Sequence, residues 1–199
     1  MRRKSSMVTL FPIRVESQDV PKIPGLSYLP DYISESEEIE LASVIDAEKW
    51  DTSWERRRQP YGGAYGRDAG PTRVIPSWGQ RLVRRLQSEG HSEQPFDQML
   101  INEYLPGQGI ALHCDYKPYD RTVVSLSLLA PCVMDFRHVE TEQQESLLLE
   151  RRSLLILSDE ARYQWQHGIA RRKNDRWHGM VIPRARRLSV TFRKQIRPA

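Results

Sequence analysis

The stretch RLSVTFRK, residues 187–194, decides the fold. Side chains alternate across an extended strand, so Arg187, Ser189, Thr191 and Arg193 share one face and Leu188, Val190 and Phe192 share the other. The apolar face belongs in a core, while the opposite face carries two guanidiniums. Six residues of strand set Arg187 and Arg193 roughly 20 Å apart at the backbone, and two long arms leaning together leave room between them for a short dicarboxylate. A surface strand can also carry an arginine to no purpose. That reading is weaker for two arginines on a strand whose reverse is wholly apolar.

Working back from this strand, the segments FDQMLINEYL (96–105), RTVVSLSLL (121–129), CVMDFRH (132–138) and RRSLLILS (151–158) are short, apolar and separated by Gly, Pro or Asp. This is the signature of an all-β region. Two helices precede it. Ser34 with Glu37 forms a capping box ahead of Leu41, Val44 and Ile45, predicting a helix of about a dozen residues that ends near Asp46. Trp78, Leu82 and Leu86 recur after Pro76, opposite Arg81, Arg84 and Arg85, which describes an amphipathic helix. The order predicts an α+β domain whose strands form a sandwich or open barrel with the helices on one outer face. Residues 1–24 read as an extended lead-in and residues 25–199 as a single domain. Within it, residues 50–76 include ERRRQPYGGAYG, show no lasting period, and form a candidate substrate-covering lid.

Composition narrows the function classes. With 199 residues, one core is expected, and five Trp, eight Tyr and four Phe exclude wholesale disorder. No apolar run approaches the roughly 20 residues of a membrane span, and the first residues lack a signal-peptide pattern, so a cytoplasmic location with no membrane contact is expected; a monomer is expected as well. Cys114 and Cys132 stand apart, which excludes a disulfide framework or a zinc knuckle. The net charge of +4 gathers in clumps such as Arg56–Arg58 and Arg184–Arg187. Polyanionic partners fit these clumps, although most charge runs are simply solvated faces.

The chemistry begins in PGQGIALHCDY (106–116), where His113 and Asp115 project to one side of extended backbone and Cys114 to the other. His167 follows in RYQWQHGI (162–169). Two imidazoles and a carboxylate on one triangular face hold non-haem Fe(II) with positions left open. These residues alone leave a structural role open, because an HxD pair arises often by chance. In QMLINEYLPG (98–107), Asn102 and Tyr104 share a strand face, and their amide and phenol suit a carboxylate as well as they suit a strand edge and a core.

In order, NEYLPGQGIALHCD (102–115), SLSLLAPCVMDF (125–136), LLLERRSLLILSDEARYQWQHGI (147–169) and RRLSVTFRK (186–194) resemble the iron and 2-oxoglutarate core of AlkB-type dioxygenases. IPGLSYLPDYISESEE (23–38) is similar to that family's opening segment, and the likeness is weakest from Trp50 to Pro76. The C-terminal motifs look closest to the AlkB-like hydroxylase domain that modifies wobble uridine in tRNA. The resemblance implies a double-stranded β-helix, or jelly roll, with Fe(II), 2-oxoglutarate as co-substrate, and O2. It assigns His113, Asp115 and His167 to iron. It assigns Asn102, Tyr104, Arg187, Ser189 and Arg193 to 2-oxoglutarate, with Arg187 on the distal carboxylate and Arg193 nearer the metal. Two positions depart from the family's bacterial repair enzyme. Ser189 replaces an Asn, giving a shorter or water-mediated contact, and Lys117 replaces an Asp beside the flipped base, which disfavours cationic bases.

The implied activity is oxidation of alkyl groups on nucleic-acid bases, that is, oxidative demethylation of DNA or RNA. Hydroxylation next to nitrogen releases formaldehyde and a repaired base, whereas hydroxylation on carbon leaves a stable alcohol. The alternatives are hydroxylation of a modified tRNA base, a protein or small-molecule hydroxylase on the same site, and a basic binding module without catalysis. The complete ligand set argues against the last. A base must be flipped or already single-stranded to reach such a site. Trp54, Tyr61 and Tyr65 are the candidate stacking residues, Arg56, Arg57 and Arg58 the candidate phosphate contacts, and Lys117 the candidate neighbour of the base.

Overall fold

A computed structural model describes residues 14–16, 19–63 and 73–196. Its strands are β1 (Leu26–Leu29), β2 (Arg58–Gly62), β3 (Gln98–Tyr104), β4 (Ile110–His113), β5 (Tyr119–Leu128), β6 (Cys132–His138), β7 (Gln144–Leu149), β8 (Leu154–Ser158), β9 (Trp165–Ile169), β10 (Asn174–Trp177), β11 (Met180–Pro183) and β12 (Arg187–Gln195). Helices α1 (Glu35–Ala47) and α2 (Ser77–Ser88) precede the strand-rich half, and the short α3 (Asp159–Tyr163) sits between β8 and β9. A six-stranded sheet runs β1-β8-β5-β12-β3-β2, a four-stranded sheet runs β4-β9-β6-β7, and β10 with β11 forms a separate hairpin. The pairings are antiparallel, and the whole is a jelly roll with helices against the larger sheet.

The alternation read from residues 187–194 divides the interior in two. Leu188, Val190 and Phe192 pack with Leu41 and Ile45 of α1 and with Trp78, Leu82 and Leu86 of α2, so the helices cover that face of the large sheet. β8 alternates likewise: Leu154 and Ile156 join the helix side, while Leu155 and Leu157 face the second core between the sheets. That second core is built on Phe136, Leu147, Leu148, Leu149, Trp165 and Ile169.

α1 starts where the capping box predicts. The Ser34 hydroxyl accepts from Glu37 N–H at 3.1 Å, and the Glu37 carboxylate accepts from Ser34 N–H at 2.8 Å. Glu38, only 1% exposed, accepts from Leu129 N–H at 2.8 Å and from the Arg151 guanidinium, fastening α1 to two turns of the sandwich. α2 begins at Pro76 with no side-chain cap, so its apolar face against the sheet is what holds it.

Two expectations need correction. Part of the expected lid is sheet: β2 pairs with β3 along its whole length, and Gln59 and Tyr61 are buried on alternate positions. The alternation escaped detection because its buried positions begin with a glutamine, whose amide donates to the Ile45 carbonyl at 2.8 Å. The lead-in lies mostly outside the described residues, but Val15 and Ile23 belong to the core between the sheets.

Candidate active site

The two imidazoles meet through strand register. β4 pairs with β9 so that His113 stands directly opposite His167, with ring centroids 4.6 Å apart. Glycines permit this approach. A Cβ on Gly168 would lie 2.9 Å from the Ile110 oxygen and the Leu112 nitrogen, and one on Gly109 would lie 2.2 Å from the Ile169 oxygen. The Nδ1 of His113 lies 2.9 Å from the Ala111 carbonyl, a contact that needs the proton on Nδ1 and leaves a lone pair on Nε2.

Asp115 lies just beyond the end of β4 and is 6% exposed. Arg193, expected on 2-oxoglutarate near the metal, instead grips its Oδ1 from Nε and Nη2, each at 2.7 Å. Its Oδ2 has no hydrogen-bond partner among the described residues and lies 3.5 Å from His167 Nε2. Burial opposes the Asp115 charge, yet the neighbouring Arg193, His167 and Arg162 hold its carboxyl well below the usual carboxylate range. Burial is the largest influence on His167 and pushes its imidazole down to about 4, with the Asp115 charge only partly offsetting it. At neutral pH the pair is thus a carboxylate beside a neutral imidazole. Nε2 of His167 and Oδ2 of Asp115 face one region, and His167 Nδ1 has no partner among the described residues, so a proton on Nδ1 would leave two lone pairs there for a cation. The side chains converge without closing on a point: among the described residues no three His, Cys, Asp or Glu donors form a closed metal-holding group.

The expected 2-oxoglutarate residues are also set by register. On β3 and β12, Tyr104 stands opposite Arg187 and Asn102 opposite Ser189. Arg187 is 2% exposed, donates from Nη2 to the Ser127 hydroxyl at 2.8 Å, and has no partner for Nε or Nη1 among the described residues. A buried guanidinium with two unmet donors is built for an anion that supplies the acceptors, because each such donor left dry costs about 1–3 kcal/mol. One cavity between the sheets is lined by Asn102, Tyr104, His113, Asp115, His167, Arg187, Ser189 and Arg193, the full set of expected metal and 2-oxoglutarate residues. Ser125, Thr191, Val123, Met134, Ile110, Leu155, Leu157 and Ile169 complete its wall. The lining therefore suits a small dicarboxylate next to the unpartnered Asp115 Oδ2 and the two imidazoles.

A family model described as the 2OG-Fe(II) oxygenase superfamily matches residues 28–193. The chain belongs to that superfamily. Its members work with Fe(II), 2-oxoglutarate and O2, so this oxygenase is an enzyme of the dioxygenase type. It is 30% identical over 199 residues to the "Probable RNA/DNA demethylase ALKBH6" of Danio rerio, covering 85% of each chain, which places it among AlkB-type oxygenases. It is 35% identical over 202 residues to the "Alkylated DNA repair protein ALKBH8 homolog" of Arabidopsis thaliana, spanning 86% of this chain and 58% of that one. Among solved structures, that of OsALKBH1 superposes with a TM-score of 0.66 at 18% identity, over 86% of this chain and 98% of the other.

The substrate residues expected from sequence do not gather as the metal residues do. Tyr61 is 2% exposed; its hydroxyl donates to Gln59 at 3.1 Å and its ring meets Trp78 edge-on, so in the oxygenase it is a core residue and not a stacking platform. The arginines of the 56–58 run do three different jobs. Arg56 donates to the Gly109 carbonyl and lies over the Tyr104 ring, Arg57 pairs with buried Glu103, and Arg58 bonds Asp51 while covering Trp54. Engaged in this way, they hold the start of the 50–76 segment against the sandwich. Trp54, 59% exposed, and Lys117 remain open to solvent, and Tyr65 lies outside the described residues. Ser189 bonds Ser125 at 2.9 Å, a protein partner for a hydroxyl expected to face the co-substrate.

Sequence reasoning missed several residues. Ser125, Ser127 and Thr191 line or serve the cavity, and their placement on polar positions of apolar strands was the available signal. A charge knot was equally hidden. Asp175, 0% exposed, accepts from Arg172, Arg184 and Val133 N–H, and Arg184 also donates to the Gln108 and Ala170 carbonyls. It thereby binds the β10–β11 hairpin to the segments flanking both histidine strands.

No helix among the described residues is long and apolar enough to cross a membrane.

Proposed function

We propose that His113, Asp115 and His167 hold Fe(II), that Asn102, Tyr104 and Arg187 hold 2-oxoglutarate, and that the reaction oxidises an alkyl group on a nucleic-acid base. The observation that carries this is Arg187, buried against the cavity with two donors unmet, in the same cavity as a neutral imidazole and a carboxylate whose Oδ2 is bare. Fe(II) with 2-oxoglutarate and O2 supplies the oxidising power, and the protein supplies placement. Arg187, with Nε and Nη1 unmet, would hold the distal carboxylate of 2-oxoglutarate. Arg193 keeps Oδ1 of Asp115 occupied, so that Oδ2 alone is left to ligate. The apolar wall of Leu155, Leu157, Val123 and Met134 keeps bulk water from the reacting carbon. Nucleic acid as substrate rests on the relatives' names and on exposed Trp54, with the basic clusters as general attraction.

A neutral base, such as a modified uridine, fits better than a cationic one. Lys117 is exposed two residues after Asp115, where a carboxylate would have favoured a positive base. The test is succinate formation with Fe(II) and 2-oxoglutarate against single-stranded DNA, RNA, tRNA and peptide pools, with mass analysis of the products. Oxidation of a nucleobase is expected, and it should vanish in Asp115→Asn. Succinate formation coupled only to peptides would overturn the nucleic-acid reading, and turnover retained by Asp115→Asn would overturn the metal assignment.

A further inference from the structure

Asp115 is the one expected metal residue that no β-ladder holds. β4 ends at His113, β5 begins at Tyr119, and residues 114–116 are in neither strand. Its main-chain direction must therefore be set from elsewhere. The side chain that does so is Arg162 of α3, a residue that reads in DEARYQ as one more surface charge. It is 2% exposed. Its Nη1 donates to the Asp115 carbonyl at 3.0 Å and its Nη2 to the Tyr116 carbonyl at 2.8 Å. The Tyr116 carbonyl also accepts from Tyr119 N–H at 3.0 Å, which closes the turn into β5. Behind the guanidinium, the Tyr163 ring lies 4.8 Å away, and its Nε has no partner among the described residues.

Burying a guanidinium is expensive, and an apolar side chain of similar volume usually packs at least as well, so packing alone gives no reason for an arginine here. What arginine supplies is a planar fork that reaches two consecutive carbonyls at once and a fixed positive charge beside Asp115. α3 runs directly into β9, which carries His167. We propose that Arg162 is a positioning residue of the metal site: by holding the Asp115 and Tyr116 carbonyls from the element that leads to His167, it sets Asp115 Oδ2 toward His167 and fixes the spacing of the two ligands. Arg193 secures the carboxylate end of the same residue from β12, so Asp115 is pinned at both ends by different elements. The inference rests on the metal-site reading above.

The experiment measures Mn(II) binding to the full chain by the loss of the free-ion electron paramagnetic resonance signal, with thermal unfolding of the metal-free protein alongside. Arg162→Lys keeps the charge but cannot span both carbonyls, and Arg162→Met keeps the volume without charge or fork. Loss of an outer partner of a metal ligand typically weakens metal affinity 10–100-fold, and a drop in that range is expected for both variants while the folded baseline persists. A purely structural role predicts a lower Tm with unchanged Mn(II) affinity in the folded protein, and that result overturns the proposal. Should Arg162→Lys not fold, Arg162→Met decides alone, and wild-type affinity in it overturns the proposal equally. Asp115→Asn separates the two readings: if it abolishes Mn(II) binding while both Arg162 variants bind normally, the metal site stands and the positioning role falls. If wild-type protein binds no Mn(II), both fall.

Discussion

The two faces of β12 put the same nine-residue strand to opposite uses. Toward the helices, Leu188, Val190 and Phe192 are 0% exposed in a core of aliphatic and aromatic side chains. Toward the smaller sheet, Arg187, Ser189, Thr191 and Arg193 are nearly as buried but line a cavity. Depth of burial therefore does not separate structure from function in this chain. The difference is whether the buried groups satisfy one another. On the helix side the contacts are dispersion and apolar burial, with Trp78 Nε1 the exception that lacks a partner, whereas on the cavity side Arg187, Asp115 and His167 leave charged and polar atoms that a ligand can complete.

Four measurements break or sharpen this contrast. The largest effect belongs to the helix side: Phe192→Ala should destabilise the metal-free protein by about 3–5 kcal/mol in denaturant unfolding, with little change in the Michaelis constant for 2-oxoglutarate. A large change in that constant with small loss of stability would show that the faces are not separable.

Next comes acid, acting on the cavity side. Because the His167 pKa falls from 6.5 in the unfolded chain to about 4 when folded, the unfolded state binds more protons between those values. Stability of the metal-free protein should therefore be full above pH 6.5 and decline as pH falls toward 4, by at most about 3.5 kcal/mol at 1.4 kcal/mol per unit. The depressed Asp115 pKa acts in the same direction at lower pH. His167→Gln should flatten the decline in a pH series of unfolding curves, and an unchanged slope would place the titrating group elsewhere.

A smaller effect is expected from Arg187→Lys. It keeps the charge, loses the fork, and should raise the Michaelis constant for 2-oxoglutarate by some tens-fold, or roughly 2 kcal/mol. In wild type, 2-oxoglutarate should raise Tm by mass action, and this rise should shrink in the variant. Equal shifts in both proteins would remove Arg187 from the co-substrate site. The smallest effect is that of Tyr61→Phe, which deletes one buried hydrogen bond and should lower stability by about 1 kcal/mol without altering affinity for single-stranded nucleic acid. Weakened nucleic-acid binding would return Tyr61 to the substrate surface.

Local signals carried the elements whose chemistry is local. The Ser34–Glu37 capping box placed α1, and period-two alternation exposed both faces of β12. The jelly-roll arrangement and the metal and co-substrate set came from ordered motifs resembling a family, and the eight residues so assigned line one cavity. What sequence reasoning missed was relational. The opposition of His113 and His167 depends on how β4 and β9 pair, and nothing within either segment states it. The protein partners of Arg56, Arg57, Arg58 and Tyr61 were hidden because composition shows that a side chain is basic or aromatic but not that Gly109, Glu103, Asp51 or Gln59 already engages it. Arg162 was hidden for the same reason, since its partners are backbone carbonyls, which every residue has.

The knot around Asp175 bears on how variants of this chain would be sorted in a genetic screen. Asp175 contributes nothing to the cavity wall, yet through Arg184 it steadies the loop before β4 and the residue after β9. Replacing it should strip the carboxylate from the buried Arg184 guanidinium and loosen both histidine strands together. Such an allele would score as inactive and map beside the catalytic mutants, although the altered residue touches no substrate.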